Sequence, residues 1–573
     1  MPGVFGFTQK SVQPLNKLDA LGKLNIHTNN SYHIRKDYIN DSIANSIVSF
    51  DFMKSYNLHY EINNLEIWIY GDPLIDGYTG EKAIQQVAKL AAQSFPDFSK
   101  IAAIDELFTI IILHKTANKL FIIGDRNGLS HLYYGVFNGQ LVWGSELRAF
   151  LTKSINTTIR NKSVTTFLEL GYLIGDNTWF NEVKLLPPAS YLEWDLEEAE
   201  LKQITPYWSH KQLNAESISK DESKIVADLA ELLAEVVSKR VAKDERIGIT
   251  LSGGQDSRAI FANIPYRENG LVAITRGIRG CGDIKLASQV VKLRKDCTHI
   301  IKEMNENNWL NGRVDAIIAT SGEKDFFNMN ALGSLPMHKN HFDINLDGAG
   351  GDGIFGGGHL KYENKANAEN ALKDKYLKSM FSDNNTLREL YEYYEHIGSD
   401  QYFYTYQRVR RFTIFGSILG HDYGIISRFP FLDHQLQEYL FLLPKKTDFG
   451  RLYNKMLIKY FPEYFVKIDN LNTGSRLFVS SRLNYLSRVF RYAQSKAGFE
   501  KYRTRYHNYP YWIKNHNEGL LDQYILSKEL KLYQYADPQP IKKAIDDFSK
   551  TGERSGTISR LITVNVFLEH YSR

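Results

Sequence analysis

Short runs rich in β-branched, aromatic and leucine residues dominate the first third of the chain. Residues 65–70, 108–114, 119–123, 132–137 and 141–144 each read as a β-strand. Asn138-Gly139, between the last two, is a strong hairpin signal. Apolar positions recur at helical spacing over 81–93 and 164–171. Together these elements predict an α+β layered unit over roughly the first 195 residues. A polar stretch at 209–223 reads as a linker.

Beyond it the period changes. Residues 224–241 place Ile225, Leu229, Leu232, Leu233, Val236 and Val237 on one helical face. Strands at 247–251, 270–275, 299–301 and 342–346 then alternate with helices from 255 and at 284–293. Alternating strand and helix predicts a doubly wound parallel sheet, with ligands beyond the carboxyl ends of its strands. From about residue 365 the pattern is mostly helical.

With 573 residues, 43% hydrophobic and 24% charged, the chain reads as a globular protein of two or more domains. No apolar run approaches a membrane span, and the N-terminus lacks a signal-peptide pattern. Two cysteines, Cys281 and Cys297, fit a reducing compartment and form no zinc-type cluster with histidine. A net charge of +5 gives no case for nucleic acid. The basic cluster 408–411 reads as a solvated or phosphate-facing helix end. The expectation is a cytoplasmic protein with neither a nucleic-acid nor a membrane partner; a homodimer is compatible with it.

Chemistry concentrates in two glycine-rich turns. In the first, Leu251, Ser252, Gly253, Gly254, Gln255, Asp256 and Ser257 follow an apolar strand and open a helix. The glycines let the backbone approach an anion, and the helix N-terminus aims amides at it. Asp256 would repel phosphate unless a divalent cation lay between them, which implies Mg²⁺. The string resembles the PP-loop of N-type ATP pyrophosphatases, which cleave ATP to AMP and pyrophosphate; it lacks the Gly-Lys-Ser/Thr of a Walker loop. The second turn starts at Asp347 and Gly348 and has seven glycines in residues 347–358, with Asp352 among them. Asp256 and Asp352 are the expected metal ligands.

The order of these motifs resembles the asparagine synthetase family, whose later turn reads Gly-x-Gly-x-Asp-Glu-x-Phe-Gly-Gly. Residues 428–433, Arg-Phe-Pro-Phe-Leu-Asp, look like the family's Arg-x-Pro-Phe-Leu-Asp signature. The stretches 124–128, 132–134, 143–147 and 186–188 resemble a class II glutamine amidotransferase domain. The resemblance implies an Ntn-type αββα sandwich over residues 1–208 and a PP-loop synthetase domain over 209–573. It also implies ATP and Mg²⁺ as cofactors, and places Thr275 and Arg276 where relatives contact adenine or ribose.

Two departures matter. Glutamine-dependent relatives begin Met-Cys-Gly, with the cysteine as nucleophile, whereas this chain begins Met1-Pro2-Gly3. Proline has no thiol, hydroxyl or primary amine, so no glutaminase activity is expected. Such a loss is shared by β-lactam, carbapenam and lasso-peptide cyclising relatives. The second turn also lacks the glutamates that asparagine synthetases carry, which puts aspartate in doubt as substrate.

The expected reaction is adenylation of a substrate carboxylate (on a peptide, a sugar acid or a small metabolite), followed by transfer to an amine donor. A glutamine-hydrolysing amidotransferase and a catalytically silent nucleotide-binding scaffold are the alternatives. A lysine steadying pyrophosphate or the tetrahedral intermediate is expected late in the domain, with Lys455, Lys467 and Arg476 as candidates. Tyr423 and His421 are candidates for proton transfer, Glu323 for facing the substrate, and Arg258 for pairing with phosphate.

Overall fold

The computed structural model describes residues 2–9, 32–151, 155–214, 221–357, 370, 372–373, 384–444, 447–499, 505–526 and 530–571. Twelve strands build its N-terminal part: β1 (Gly3–Thr8), β2 (His33–Ile39), β3 (Ile43–Phe50), β4 (His59–Ile62), β5 (Leu65–Gly71), β6 (Phe108–His114), β7 (Lys119–Gly124), β8 (Tyr133–Phe137), β9 (Gln140–Gly144), β10 (Lys184–Leu185), β11 (Ser190–Asp195) and β12 (Glu200–Pro206). One antiparallel sheet has the order β10-β8-β9-β1-β3-β2, and the other β12-β11-β7-β6-β5-β4. Strand alternation gives the first sheet two apolar faces. Val4, Ile47 and Trp143 join the core shared with Ile67, Ile69 and Ile111 of the second sheet. Phe5, Phe7 and Val48 point the other way.

Helices complete the sandwich. α1 (Gly80–Ser94) buries Ala83, Ile84, Val87 and Ala91 in the same core as the second sheet. α2 (Asn161–Leu170) places Val164, Phe167 and Leu168 with Phe5 and Phe7. The expected strands at 65–70, 108–114, 119–123, 132–137 and 141–144 all occur, within a residue or so at each end. β1, β2 and β3 were not legible as strands. β2 is a charged edge strand, and β3 interrupts its apolar residues with buried Asn45, Ser46 and Ser49. Of the expected linker, residues 215–220 lie outside the described residues.

The third sheet is parallel throughout and comprises β13 (Ile247–Thr250), β14 (Leu271–Gly277), β15 (Cys297–Glu303), β16 (Ile344–Leu346) and β17 (Ile426–Arg428). Its order is β15-β14-β13-β16-β17. The chain winds outward from β13 in one direction and resumes on its other side at β16, so the switch point lies between those two strands. Gly248 sits in β13 because a Cβ there would come 1.9 Å from the Phe342 ring. α3 (Glu222–Ser238), α4 (Gln255–Asn263) and α5 (Gly282–Val291) follow the predicted alternation. The remainder is mainly helical and includes α6 (Phe449–Tyr460), α7 (Ser481–Lys496) and α8 (Ser555–Tyr571). β17 departs from the helical expectation; three residues are too few to carry a period.

Buried arginines bind the two parts together. Arg428, at the end of β17, meets Asp72 of the N-terminal part at 2.6 Å and Glu245 at 2.6 Å. Arg240, just after α3, meets Glu106 at 2.5 Å and Asp433 at 2.8 Å. Glu106 also accepts the Phe429 amide at 3.0 Å, and Asp433 caps the following helix through the Gln435 amide. The Arg-Phe-Pro-Phe-Leu-Asp string is therefore a latch between the two parts. The 408–411 cluster is corrected in the same sense. Arg410 reaches Asp176 at 2.8 Å and Arg411 reaches Glu323 at 2.5 Å, both fully buried. A π-helical turn at Tyr404–Thr413 carries them inward rather than to solvent.

Arg428→Met should cost about 3–5 kcal/mol of unfolding free energy, because Asp72 and Glu245 would be left buried and unpaired. Denaturant titration checks this. Adding Asp72→Asn should recover part of the loss, whereas strict additivity would show that the two side chains do not interact.

Candidate active site

The first glycine-rich turn lies at the carboxyl end of β13, and α4 begins at Gln255. The turn is held by its own side chains. The Ser252 amide donates to Ser257 Oγ at 3.1 Å, and the Gly254 amide to Ser252 Oγ at 3.1 Å. Asp283, at the start of α5, accepts the Gly253 amide at 2.9 Å. Three amides expected to face an anion are thus engaged within the protein. The first turn of α4, residues 255–258, still directs its amides outward by helix geometry. Thr275 Oγ1 donates to the Leu251 carbonyl at 2.8 Å and so ties β14 to the turn.

The second turn follows β16 on the other side of the switch point. A Cβ at Gly351 would lie 2.5 Å from the Asp256 carboxyl carbon, so glycine is what lets this turn press against the first. Burial, reinforced by the nearby Asp352 carboxylate, pushes the Asp256 pKa up to about 7. Tyr453 of α6 donates to Asp256 at 3.1 Å, and Tyr404 donates to Asp352 at 3.4 Å. Two mutually repelling carboxylates at a phosphate-type turn are a donor set that a divalent cation fits.

A cavity of about 400 Å³ opens between the two turns. Of the residues singled out from the sequence, Ser252, Gly254, Asp256, Ser257, Arg276, Asp347 and Gly348 line it. Asp347 is oriented by the Ala349 amide at 2.9 Å and the Ser417 hydroxyl at 2.8 Å. Leu251, Gly253, Thr275 and Asp352 support or flank the cavity without lining it.

Lys324 was missed by the sequence reading. It lines the cavity, is only 4% exposed, and donates to the Phe412 carbonyl at 2.7 Å. Burial, with Arg408 nearby, lowers its pKa to about 7. His338 also lines the cavity, held neutral by burial. Its Nε2 has no hydrogen-bond partner among the described residues. The only available signal for Lys324 was the charged run Glu323-Lys324-Asp325 between apolar segments, and it does not say which member faces inward.

The other candidates lie elsewhere. Glu323, adjacent to Lys324, points away and is buried against Arg411 and Tyr133. Lys455 is paired with Glu222 at 2.6 Å, and Lys467 with Glu463 at 2.6 Å on the surface. Tyr423 packs at the edge of a hydrophobic core, and the His421 carbonyl accepts from His33. Arg258 donates to the Asp469 and Tyr464 carbonyls at 2.7 and 2.8 Å, bracing α4 rather than facing the cavity. Glu323, Lys455, Lys467 and Tyr423 are therefore not brought to the cavity. Local ion pairs and packing account for them instead.

Comparison with known proteins agrees with this arrangement. Residues 98–208 match the glutamine amidotransferase domain family and residues 228–413 the asparagine synthase family, together about half of the chain. A probable glutamine-hydrolysing asparagine synthetase of Acanthamoeba polyphaga mimivirus is 28% identical over 53% of this chain and 55% of its own length. Amidase chyE of Penicillium rubens is 26% identical over 42% of this chain and 35% of its own. The glutamine-hydrolysing asparagine synthetase 2 of Bacillus subtilis is 28% identical over 27% and 22%. The chain thus spans about half, or less, of the length of these curated relatives. A solved allosteric regulatory enzyme of purine biosynthesis is a remote likeness, with a TM-score of 0.26 at 11% identity over 52% of this chain and 80% of that one. From the paired turns, the parallel sheet behind an antiparallel sandwich, the two family matches and the asparagine synthetase relatives, the chain belongs to the asparagine synthetase superfamily.

Proposed function

We propose that this chain is an ATP-dependent amide-forming ligase that adenylates a substrate carboxylate and passes it to an amine without a glutaminase step. The observation that carries the reading is one shared cavity. It brings the PP-loop and the second glycine-rich turn together with two cationic side chains, Arg276 and Lys324. The phosphates of ATP lie against the first turn of α4, with the Ser252 and Ser257 hydroxyls as further donors. Asp256 and Asp352 are the residues to hold Mg²⁺, which when bound offsets the charge of the departing pyrophosphate.

A carboxylate oxygen of the substrate attacks the α-phosphorus, and the bond to pyrophosphate breaks. The amine nitrogen then attacks the acyl carbon, the acyl–AMP bond breaks, and the nitrogen gives up a proton. Lys324, as its ammonium form, is placed to hold the carboxylate. The carboxylate belongs to a peptide, a sugar acid or a small metabolite, and the amine is ammonia or a group on the substrate itself.

Pro2 supports the absence of a glutaminase step. It borders a space of about 30 Å³ with Tyr70, Leu107, Ser130 and His131. Such a space suits a water and not a glutamine.

ATP–pyrophosphate exchange over a panel of carboxylates should find an acceptor. Asp256→Asn and Asp352→Asn should each lower exchange at least about 100-fold while thermal unfolding stays within a few degrees. ATP binding without exchange on any carboxylate would overturn the ligase reading in favour of a scaffold, and steady ammonia release from glutamine would overturn the missing-glutaminase part.

Lys324→Met should raise the carboxylate KM about 10- to 100-fold and leave the KM for ATP nearly unchanged. Carboxylate binding favours the ammonium form, and the free site loses its proton above about pH 7. Apparent affinity should therefore be flat below that pH and fall up to about tenfold per unit above it. The methionine variant should lack this break; a break of the same size in both proteins would assign it to another group.

A further inference from the structure

α7 is amphipathic in the reverse of the usual sense. Asn484 and Arg491 are its buried positions, with half-buried Ser487 and Gln494 on the same face. Asn484 accepts from the Phe478 amide at 3.2 Å and donates to the Phe478 carbonyl at 2.6 Å, and Arg491 donates to the Leu471 carbonyl. The polar face thus attaches the helix to the protein. The apolar side chains stand in solvent: Leu483, Tyr485, Leu486, Val489, Phe490 and Tyr492, with Phe490 65% exposed. Phe499, just past the helix, is 80% exposed. At such exposure the rings protrude rather than line a groove.

The charge on this surface has one sign. Arg482, Arg488 and Lys496 are exposed among the apolar residues, and the helix contains no acidic residue. Among the described residues, no carboxylate forms a salt bridge with any of the three. Singly exposed apolar residues are ordinary, but six on the solvent side of one helix, interspersed with cations and no acid, are not. Exposed aromatic and leucine side chains together with Lys/Arg on a helix of low overall hydropathy suit a membrane interface, where long cationic side chains reach up to the phosphates.

We propose that α7 docks this protein on an anionic lipid bilayer, with its apolar side chains at the headgroup–acyl boundary and Arg482, Arg488 and Lys496 among the phosphates. No described helix is long and apolar enough to cross a membrane, which suits a helix that lies along the surface. Two-fold packing of α7 on a second copy would set cations against cations, so like-charge repulsion opposes that occupant. The proposal departs from the expectation, drawn from overall composition, of no membrane partner.

The test is co-sedimentation of the full chain with vesicles of phosphatidylcholine alone or mixed with phosphatidylglycerol. Binding should require phosphatidylglycerol and weaken as salt rises. Arg482→Ala, Arg488→Ala and Lys496→Ala should each reduce partitioning about fivefold. Phe490→Glu should abolish binding with thermal unfolding unchanged, as expected for a side chain that is already in water. The absence of sedimentation with either vesicle would overturn the proposal, as would binding indifferent to Phe490→Glu. A vesicle-free dimer, seen by light scattering and dissolved by Phe490→Glu, would also overturn it by showing that a second copy covers this face.

Discussion

The structure depends on arginines held charged in places water cannot reach. Arg428 and Arg240 are each about 1% exposed, and their carboxylate partners come from both parts of the chain. Removing a charge of this kind from water carries a penalty of several kcal/mol, which only close, well-directed carboxylates offset. Burial opposes the charge on Arg428, and its acid partners more than compensate, so it stays ionised. The consequence for function is positional. Arg428 ends β17, the Phe429 amide is held by Glu106, and Asp433 caps the next helix. The strand beside β16, and hence one wall of the switch-point crevice, is registered against the N-terminal sandwich by charge.

Within that crevice the electrostatics reverse. The acids Asp256 and Asp352 repel each other on one side, while Arg276 and Lys324 supply positive charge on the cavity wall. Burial pushes the Asp256 carboxyl up and the Lys324 ammonium down. ATP with a metal and an anionic carboxylate would satisfy both at once. On the proposed reading, the site's charges are complementary to reactants rather than to one another. Glu323 and Lys324 show how finely this is set. Neighbours in sequence, they point to opposite sides, one to a structural arginine and one to the cavity.

Much of this was legible in the residues. The period-dependent signals gave the parallel sheet, and the two glycine-rich turns fell at strand ends where the chain order switches. What could not be read depends on partners distant in sequence. β3 is fully buried despite Asn45, Ser46 and Ser49, because the sandwich encloses it on both sides. The arginines at 410 and 411 look solvated until Asp176 and Glu323 are brought beside them. Lys455 and Lys467 looked like free cations until Glu222 and Glu463 met them. A charge has no periodicity that says whether its partner is water, an acid or a substrate.

The N-terminal sandwich, with Pro2 at its start, is tied to the synthetase part by the same kind of charge pairing. Its acids Asp72, Asp105 and Glu106 are partners of the synthetase part: they meet Arg428, the His434 amide and Arg240. Asp176 and the Leu186 carbonyl serve Arg410 in the same way. Deleting the sandwich would leave several arginines buried or newly exposed without their carboxylates, beside the very strand and helix that frame the cavity. Proline at position 2 does not touch these pairs. The sandwich thus has a structural part in framing the cavity, whether or not it handles glutamine.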